Sequence, residues 1–277
     1  MEPQTKTALL GDLRSRIAVI EKRPATLSTG HGGVDDTPFG NLPAGVLHEA
    51  WADHFSHCGA LLGFSLGQAQ RLLNARRPAI VWLQIAHEGQ EYGLPYGLGL
   101  AGLGFDPASL IVGRARSVCD LLWAGEEAAS CPAVAGVLAD IGFHHKALDF
   151  TATRRLSLVA EKSGTSIFLM RYGREREASA AALRWHVAAE PSGAAAFDDR
   201  APGGARWRVR LEKGLHLSGG KGAGNMESGG KSGNRNWVVD WTENGFAIAT
   251  DAEEKAGAAP LSGAAPAALG YRLPKAG

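Results

Sequence analysis

LPAGVLHEAWADHFSHCGALLGFSLGQAQRLL, from Leu42 to Leu73, is the stretch whose reading decides the fold. Pro43 and Gly45 are turn residues, and Val46 and Leu47 after them are apolar, the pattern of a turn feeding a short buried strand. From Ala60 onward Leu62, Leu66, Ala69 and Leu73 recur at helical spacing, while Gln68, Arg71 and Asn74 fall on other sides. Between strand and helix lies a short connection: Ala52, Asp53, His54, Phe55, Ser56, His57, Cys58 and Gly59. Strand, tight loop and helix form the frame of a phosphate-binding loop, in which backbone N–H groups and the helix N-terminus hold phosphates.

The chemistry of such a loop is missing. A Walker loop needs glycines for close backbone approach, a lysine for the terminal phosphates and a Ser or Thr for magnesium. This connection has no lysine or arginine, carries a glycine only at its end, and places Asp53 where its charge would repel phosphate. The frame predicts a nucleotide-binding fold; the residues argue against nucleotide hydrolysis, and ATP is not expected as a cofactor.

LPAGVLHEAW followed by a helix resembles the start of the RecA-like core. With its degenerate loop, and His-Glu before an aromatic residue, it resembles the ImuA family, the RecA-like accessory proteins of bacterial damage-induced mutagenesis. LGFDPASLIVGRA (103–115), LDFTATRRLSLVAEKSGTSIFLMR (148–171) and ALRWHVAAEPSG (182–193) carry the likeness further, over roughly residues 40 to 250. The resemblance implies an α/β fold: a RecA-like core with a central, mainly parallel sheet flanked by helices and extended by C-terminal antiparallel strands. It divides the chain into an N-terminal helix and linker (1–40), the core (41–250, with a flexible insertion at 218–234) and a disordered tail (251–277).

Composition sets the limits. The chain has 277 residues, of which 45% are hydrophobic, enough for one α/β domain with extensions. Basic and acidic residues number 29 and 28, so the net charge of +1 gives the whole chain no sequence-independent attraction to nucleic acid. Any such site must be a local patch. Cys58, Cys119 and Cys131 are scattered and odd in number, as expected in a reducing cytoplasm. No apolar run is long enough to span a bilayer, and the N-terminus lacks the order of a signal peptide.

Taken in order, Ala8–Lys22 gives an amphipathic helix with Leu9, Leu13, Ile17 and Ile20 on one side. Packing on its own domain explains that stripe as well as docking on a partner does. Ala79–Ala86 is a buried strand, and His87, Glu88 and Glu91 follow at its C-terminal end, where ligands bind in open α/β sheets. In a RecA-like ATPase a catalytic carboxylate sits near this point, so Glu88 or Glu91 could be its remnant; otherwise the segment reads as a solvated loop. EYGLPYGLGLAGLG follows no suitable strand-to-helix turn for a dinucleotide motif and is expected to hold a short helix ending near Gly102–Gly104. Ser109–Gly113 is a strand, Cys119–Ala129 a helix, and Ala133–Asp140 a strand ending where an ATPase carries its magnesium-linked acid. Ala147–Lys162 is a helix with Leu148, Ala152, Leu156 and Val159 on one face, stopped by Gly164.

TSIFLMR is the next strand, followed by YGREREASAAA. In RecA the matching loop touches single-stranded DNA, which makes Arg154, Arg155, Arg171, Arg174 and Arg176 candidates for a DNA-contacting patch; a solvated charge run explains the same residues. From Leu183 the pattern alternates in LRWHVAAE, RWRVRLEK and NWVVDW-TENG-FAIAT, read as antiparallel strands with a hairpin turn at Asn244-Gly245. Near the end Leu269, Tyr271 and Leu273 alternate in LGYRLP and suit a partner's groove or sheet edge.

His48, His54, His57 and Cys58 offer zinc donors, but no second pair stands at ligand spacing, so no metal is expected. No Ser-His-Asp set has a nucleophile elbow, so the chain shows no catalytic constellation. Two classes of function remain. One is a non-catalytic RecA-like adaptor in SOS-induced, error-prone translesion synthesis. The resemblance implies its partners: the Y-family-like polymerase homologue ImuB, an error-prone replicative-type polymerase, and RecA. The other is a weak DNA-stimulated ATPase, or a RecA modulator, with a non-standard nucleotide site.

Overall fold

The computed structural model describes residues 43–195, 198–214, 235–242 and 245–249. The expected N-terminal helix with Leu9, Leu13, Ile17 and Ile20, the 218–234 insertion, Asn244, and the tail with Leu269, Tyr271 and Leu273 lie outside the described residues.

The chain forms an α/β fold of the RecA-like kind. Among the described residues the strands are β1 (Leu47–Ala52), β2 (Ala79–Ile85), β3 (Leu110–Ala115), β4 (Val134–Ile141), β5 (Ser166–Tyr172), β6 (Leu183–Glu190), the small pair β7 (Ala194–Ala195) and β8 (Asp198–Pro202), β9 (Arg206–Lys213), β10 (Arg235–Thr242) and β11 (Gly245–Ile248). The helices are α1 (Cys58–Gln70), α2 (Ala86–Tyr92), α3 (Gly97–Gly102), α4 (Val118–Ser130) and α5 (Phe150–Ser163). The main sheet has nine strands in the order β11-β10-β9-β6-β1-β5-β4-β2-β3. Its parallel half reads as unbroken apolar runs because helices cover both faces. On one face α1 packs over β1, β4, β5 and β6; on the other, α4 lies over β2, β3 and β4 while α5 lies over β5 and β1. Phe64 and Leu61 of α1 meet Ile80, Trp82, Leu138, Phe168 and Trp185 in one core, and Leu121 and Leu156 meet Val81, Val137, Ile167 and Leu169 in the other.

Two elements depart from the sequence expectation. β6 runs parallel to β1, with His48 beside Leu183 and Trp51 beside His186; antiparallel pairing begins only between β6 and β9. To make that parallel pair, the chain after β5 returns along the sheet through 173–182 with no helix, crossing over β1. The second departure is α1. Ala60, Leu61, Gly63, Phe64, Ser65, Leu66, Gly67, Gln68 and Ala69 are all buried, so it has no polar face. Leu62 and Leu73 are only half-buried, and Gln68, expected on a polar side, is inside. The cause is the antiparallel half of the sheet, which wraps Trp207, Trp241 and Phe246 against the flank of α1 that would otherwise face water.

That wrapping needs the glycines of α1. A Cβ on Gly63 would stand 2.6 Å from Trp207, and one on Gly67 2.6 Å from Trp241 and 2.8 Å from Phe246. Alanine raises helix propensity by about 1 kcal/mol over glycine, but overpacking a filled core costs about 1–3 kcal/mol. Gly67→Ala should therefore lower stability, whereas Gly59→Ala in the first turn of α1, with nothing within 4 Å, should raise it by up to about 1 kcal/mol. Urea denaturation of the two variants checks the opposite signs.

Candidate functional site

The C-terminal ends of β1, β2, β4 and β5 meet where an α/β sheet of this order places its ligand. After β1, Phe55–His57 form a single 3-10 turn, and α1 begins at Cys58 with no side-chain cap on its free N–H groups. The side chains of this connection are engaged by the chain itself. Phe55 packs on Tyr172 with ring centroids 4.8 Å apart. Arg176 donates to Asp53 at 2.9 Å, and His186 Nε2 lies 3.2 Å from the other carboxylate oxygen. Burial pushes the Asp53 carboxyl up, but the Arg176 hydrogen bond and the positive charge of His186 and Arg176 outweigh it and hold the group below the usual carboxylate range. His54 Nε2 is 3.0 Å from Arg174, His57 Nδ1 accepts from the Ala189 N–H at 3.2 Å, and the Ala52 carbonyl accepts from the Gly173 N–H. Ser56 and Gly59 are exposed, and Cys58 is half-buried.

The acids beyond β2 and β4 come together. Glu88 lies on α2, not in a solvated loop. It is buried because its carboxylate accepts from the Gly142 N–H at 2.8 Å and approaches His145 Nε2 at 3.4 Å. The side chain of Glu91 is outside the described residues. Asp140 accepts from the Tyr172 hydroxyl at 3.2 Å and from Gln84 Nε2 at 3.4 Å. Burial raises its carboxyl to about 6; the neighbouring Glu88 charge pushes the same way, against the Tyr172 and Gln84 hydrogen bonds. Burial and the Asp140 charge in turn push the Tyr172 phenol up. Asp140 can hold a proton near neutral pH, but hydrogen bonds from the protein already engage its carboxylate and that of Glu88.

The arginines do not form one surface. Arg154 and Arg155 are exposed on α5, and Arg155 pairs with Glu126 of α4 at 2.7 Å. Arg171 is buried in β5: its guanidinium stacks 4.5 Å over Trp51, donates to Glu177 and stands 3.8 Å from Glu49. Arg176 lies over the same Trp51 ring at 4.6 Å and also donates to Glu212. Arg174 is exposed. The charge-rich 173–182 segment is thus a pinned crossover, not a solvated run. Its anchor is Glu49 on β1, which is fully buried and accepts from Arg184 Nε at 2.8 Å and Ser179 Oγ at 2.7 Å.

The histidines separate in the same way. His48 faces the other side of β1, stacked 4.5 Å from Phe168, and burial lowers its pKa to about 3 despite a hydrogen bond to the Pro43 backbone. Among the described residues no three of His, Cys, Asp and Glu are grouped to hold a metal ion.

No family model matches the chain. Protein ImuA of Caulobacter vibrioides is similar: 37% identical over 200 residues, which make up 68% of this chain and 78% of that protein, with the same values in two strains. The chain belongs to the ImuA family. Family membership supports a role in damage-induced mutagenesis.

Sequence reasoning reached Asp53, Glu88 and Asp140 but missed Glu49, Gln84, Tyr172 and His186. Glu49 had a usable signal. A glutamate inside the otherwise buried strand LHEAWA must find cationic partners, and YGREREAS and LRWH supply them. Tyr172 and His186 carried none, since they reach the loop only through the pairing of β5 and β6 with β1.

The Asp140 shift sets a pH dependence. A carboxyl raised in the folded state contributes stability that is present below its unfolded pKa near 4 and is lost as pH rises through about 6. The stability of Asp140→Asn relative to the parent should therefore grow between pH 4 and 7, by about 2 kcal/mol in all. Paired denaturation curves across that range test this; a difference independent of pH would refute it.

Proposed function

We propose that this chain is a non-catalytic RecA-like adaptor in SOS-induced, error-prone translesion synthesis, working in the cytoplasm. Its proposed partners are the Y-family-like polymerase homologue ImuB, an error-prone replicative-type polymerase, and RecA. Partner contacts fall to the Leu9, Leu13, Ile17 and Ile20 stripe and to Leu269, Tyr271 and Leu273. The observation that carries the reading is the closed loop after β1: Phe55 against Tyr172, and Asp53 held by Arg176 and His186. Arg176 and His186 are spent on the chain's own carboxylate and are not left for phosphate. Among the described residues no helix is long and apolar enough to cross a membrane.

Only a ligand that binds the native state raises its stability, by RT ln(1 + [L]/Kd). Millimolar Mg-ATP should therefore leave the melting temperature unchanged. A saturable rise, or phosphate release that disappears when Phe55 and Asp53 are replaced, would favour the residual-ATPase alternative instead.

Of the five candidate arginines, DNA contact falls to Arg154 and Arg174, which are exposed and have no carboxylate partner among the described residues. It should be weak and steeply salt-dependent. Replacing both with Ala should reduce retention of single-stranded DNA at low salt and leave stability within about 0.5 kcal/mol of the parent. Arg171→Ala should instead destabilise by about 3–5 kcal/mol, because it strips charge from beside buried Glu49. Retention unaffected by the double replacement would remove DNA from the mechanism.

A further inference from the structure

β3 is the outermost strand of the sheet and pairs on one side only, with β2. Among the described residues nothing pairs with its outer side. An open edge presents a row of unpaired N–H and C=O groups, and proteins normally blunt it with proline, a bulge or charges along its length. β3 reads LIVGRA and does none of this at its centre: Ile111 is 54% exposed and Val112 43%. The apolar exposure continues beside it. Tyr96 and Leu98, exposed at 67% and 73%, lie at and in α3, which packs against the 107–109 turn leading into β3. Trp123, 63% exposed, lies on α4, which packs on β3 from the other face.

The charges are confined to the two ends and have opposite signs. Asp106, exposed, sits just before β3 and caps the 107–109 turn by accepting from the Ala108 N–H at 2.9 Å. Arg114 and Arg116, both exposed, stand at and just beyond the C-terminal end. Arg114 donates to the Ala86 carbonyl, and Arg116 has no ion-pair partner among the described residues. A strand that is apolar in the middle, acidic at its start and basic at its end is complementary to itself when turned end for end.

We propose that β3 is a homodimerisation edge: two copies of this chain pair β3 with β3, antiparallel, about a two-fold axis at Val112, extending one sheet into the other. In that register Val112 faces its own copy across the axis. Ile111 of one chain stands opposite Gly113 of the other. Leu110 lies opposite Arg114, and Asp106 comes within reach of Arg116 at both ends. A two-fold interface uses the same patch on both subunits, as this geometry requires. The partner is a second copy because the charge order favours the reversed strand itself. The dimer is independent of whether the loop after β1 binds nucleotide.

Sedimentation velocity of the isolated chain over a range of concentrations tests the proposal. The parent should show a reversible monomer–dimer equilibrium. Val112→Lys sets like charges against each other on the axis and should weaken the dimer by at least about a hundredfold. Asp106→Lys and Arg116→Glu should each weaken it about tenfold, and both changes in one chain should restore it, because the end pairs re-form with reversed sign. Val112 and Arg116 are exposed, so their variants should melt with the parent, whereas Asp106→Lys gives up the cap on the 107–109 turn and should melt lower by the same amount in the single and the double variant, which keeps loss of the dimer distinct from loss of the fold. A parent that is monomeric at every concentration overturns the proposal and leaves the edge to a strand from a different protein. So does a dimer that survives Val112→Lys, or a charge-reversed double variant no tighter than the single ones.

Discussion

A carboxylate buried in the central strand constrains much of what surrounds it. Glu49 sits in β1 with no exposed surface, and an ionised group there is tolerable only with hydrogen bonds and cations around it. Arg184 from β6, Ser179 from the crossover and Arg171 from β5 supply them. Once those partners are fixed, the path of 173–182 is fixed too, because it must lay Ser179 and Glu177 beside β1. Arg176 is then carried over Trp51 and onto Asp53. The closed loop follows from the buried acid through a chain of contacts, each of which satisfies a polar group on the next.

The two faces of the parallel half divide the work. The α1 face holds aromatic and aliphatic packing, with His48 kept neutral against Phe168 and Asp140 tied to Tyr172 at the strand ends. The other face carries the Glu49 cluster and the crossover. Phe55, in the turn after β1, packs on Tyr172 at the edge of the α1 face. Asp140 and Glu88 stand at the C-terminal end of the sheet, and their oxygens accept from Tyr172, Gln84 and the Gly142 N–H.

Much of this was legible in the sequence where a local pattern decides the structure. β2, β4 and β5 stand out as unbroken apolar runs, α5 as a periodic stripe, and Gly164 as the stop after α5, where it adopts a φ of +71°. Asp53 could be read as hostile to phosphate from its charge alone. What was not legible depends on long-range pairing. Alternation in LRWHVAAE shows a strand but not its direction, so its parallel pairing with β1 was hidden, and with it the crossover and the burial of Arg171. α1 looked amphipathic because leucines recur at helical spacing, and nothing nearby announced that Trp207 and Trp241 would cover its other side. Glu88 looked solvated because its partners, Gly142 and His145, lie more than fifty residues away.

The glycines of α1 have a consequence for reversal. With Gly63 and Gly67 pressed against Trp207, Trp241 and Phe246, the helix cannot slide or tilt to open the loop at its start. Regaining a phosphate site would take more than a lysine in the connection. Phe55 would have to leave Tyr172, and Asp53 would have to release Arg176 and His186. Arg176 would still hold Glu212, while α1 stayed fixed by rings in three different strands. No single one of these changes yields a phosphate site, and each taken alone removes contacts that stabilise the fold. The loop is held by the same interactions that fold the protein, and a stepwise path to a phosphate site would run uphill at its first step.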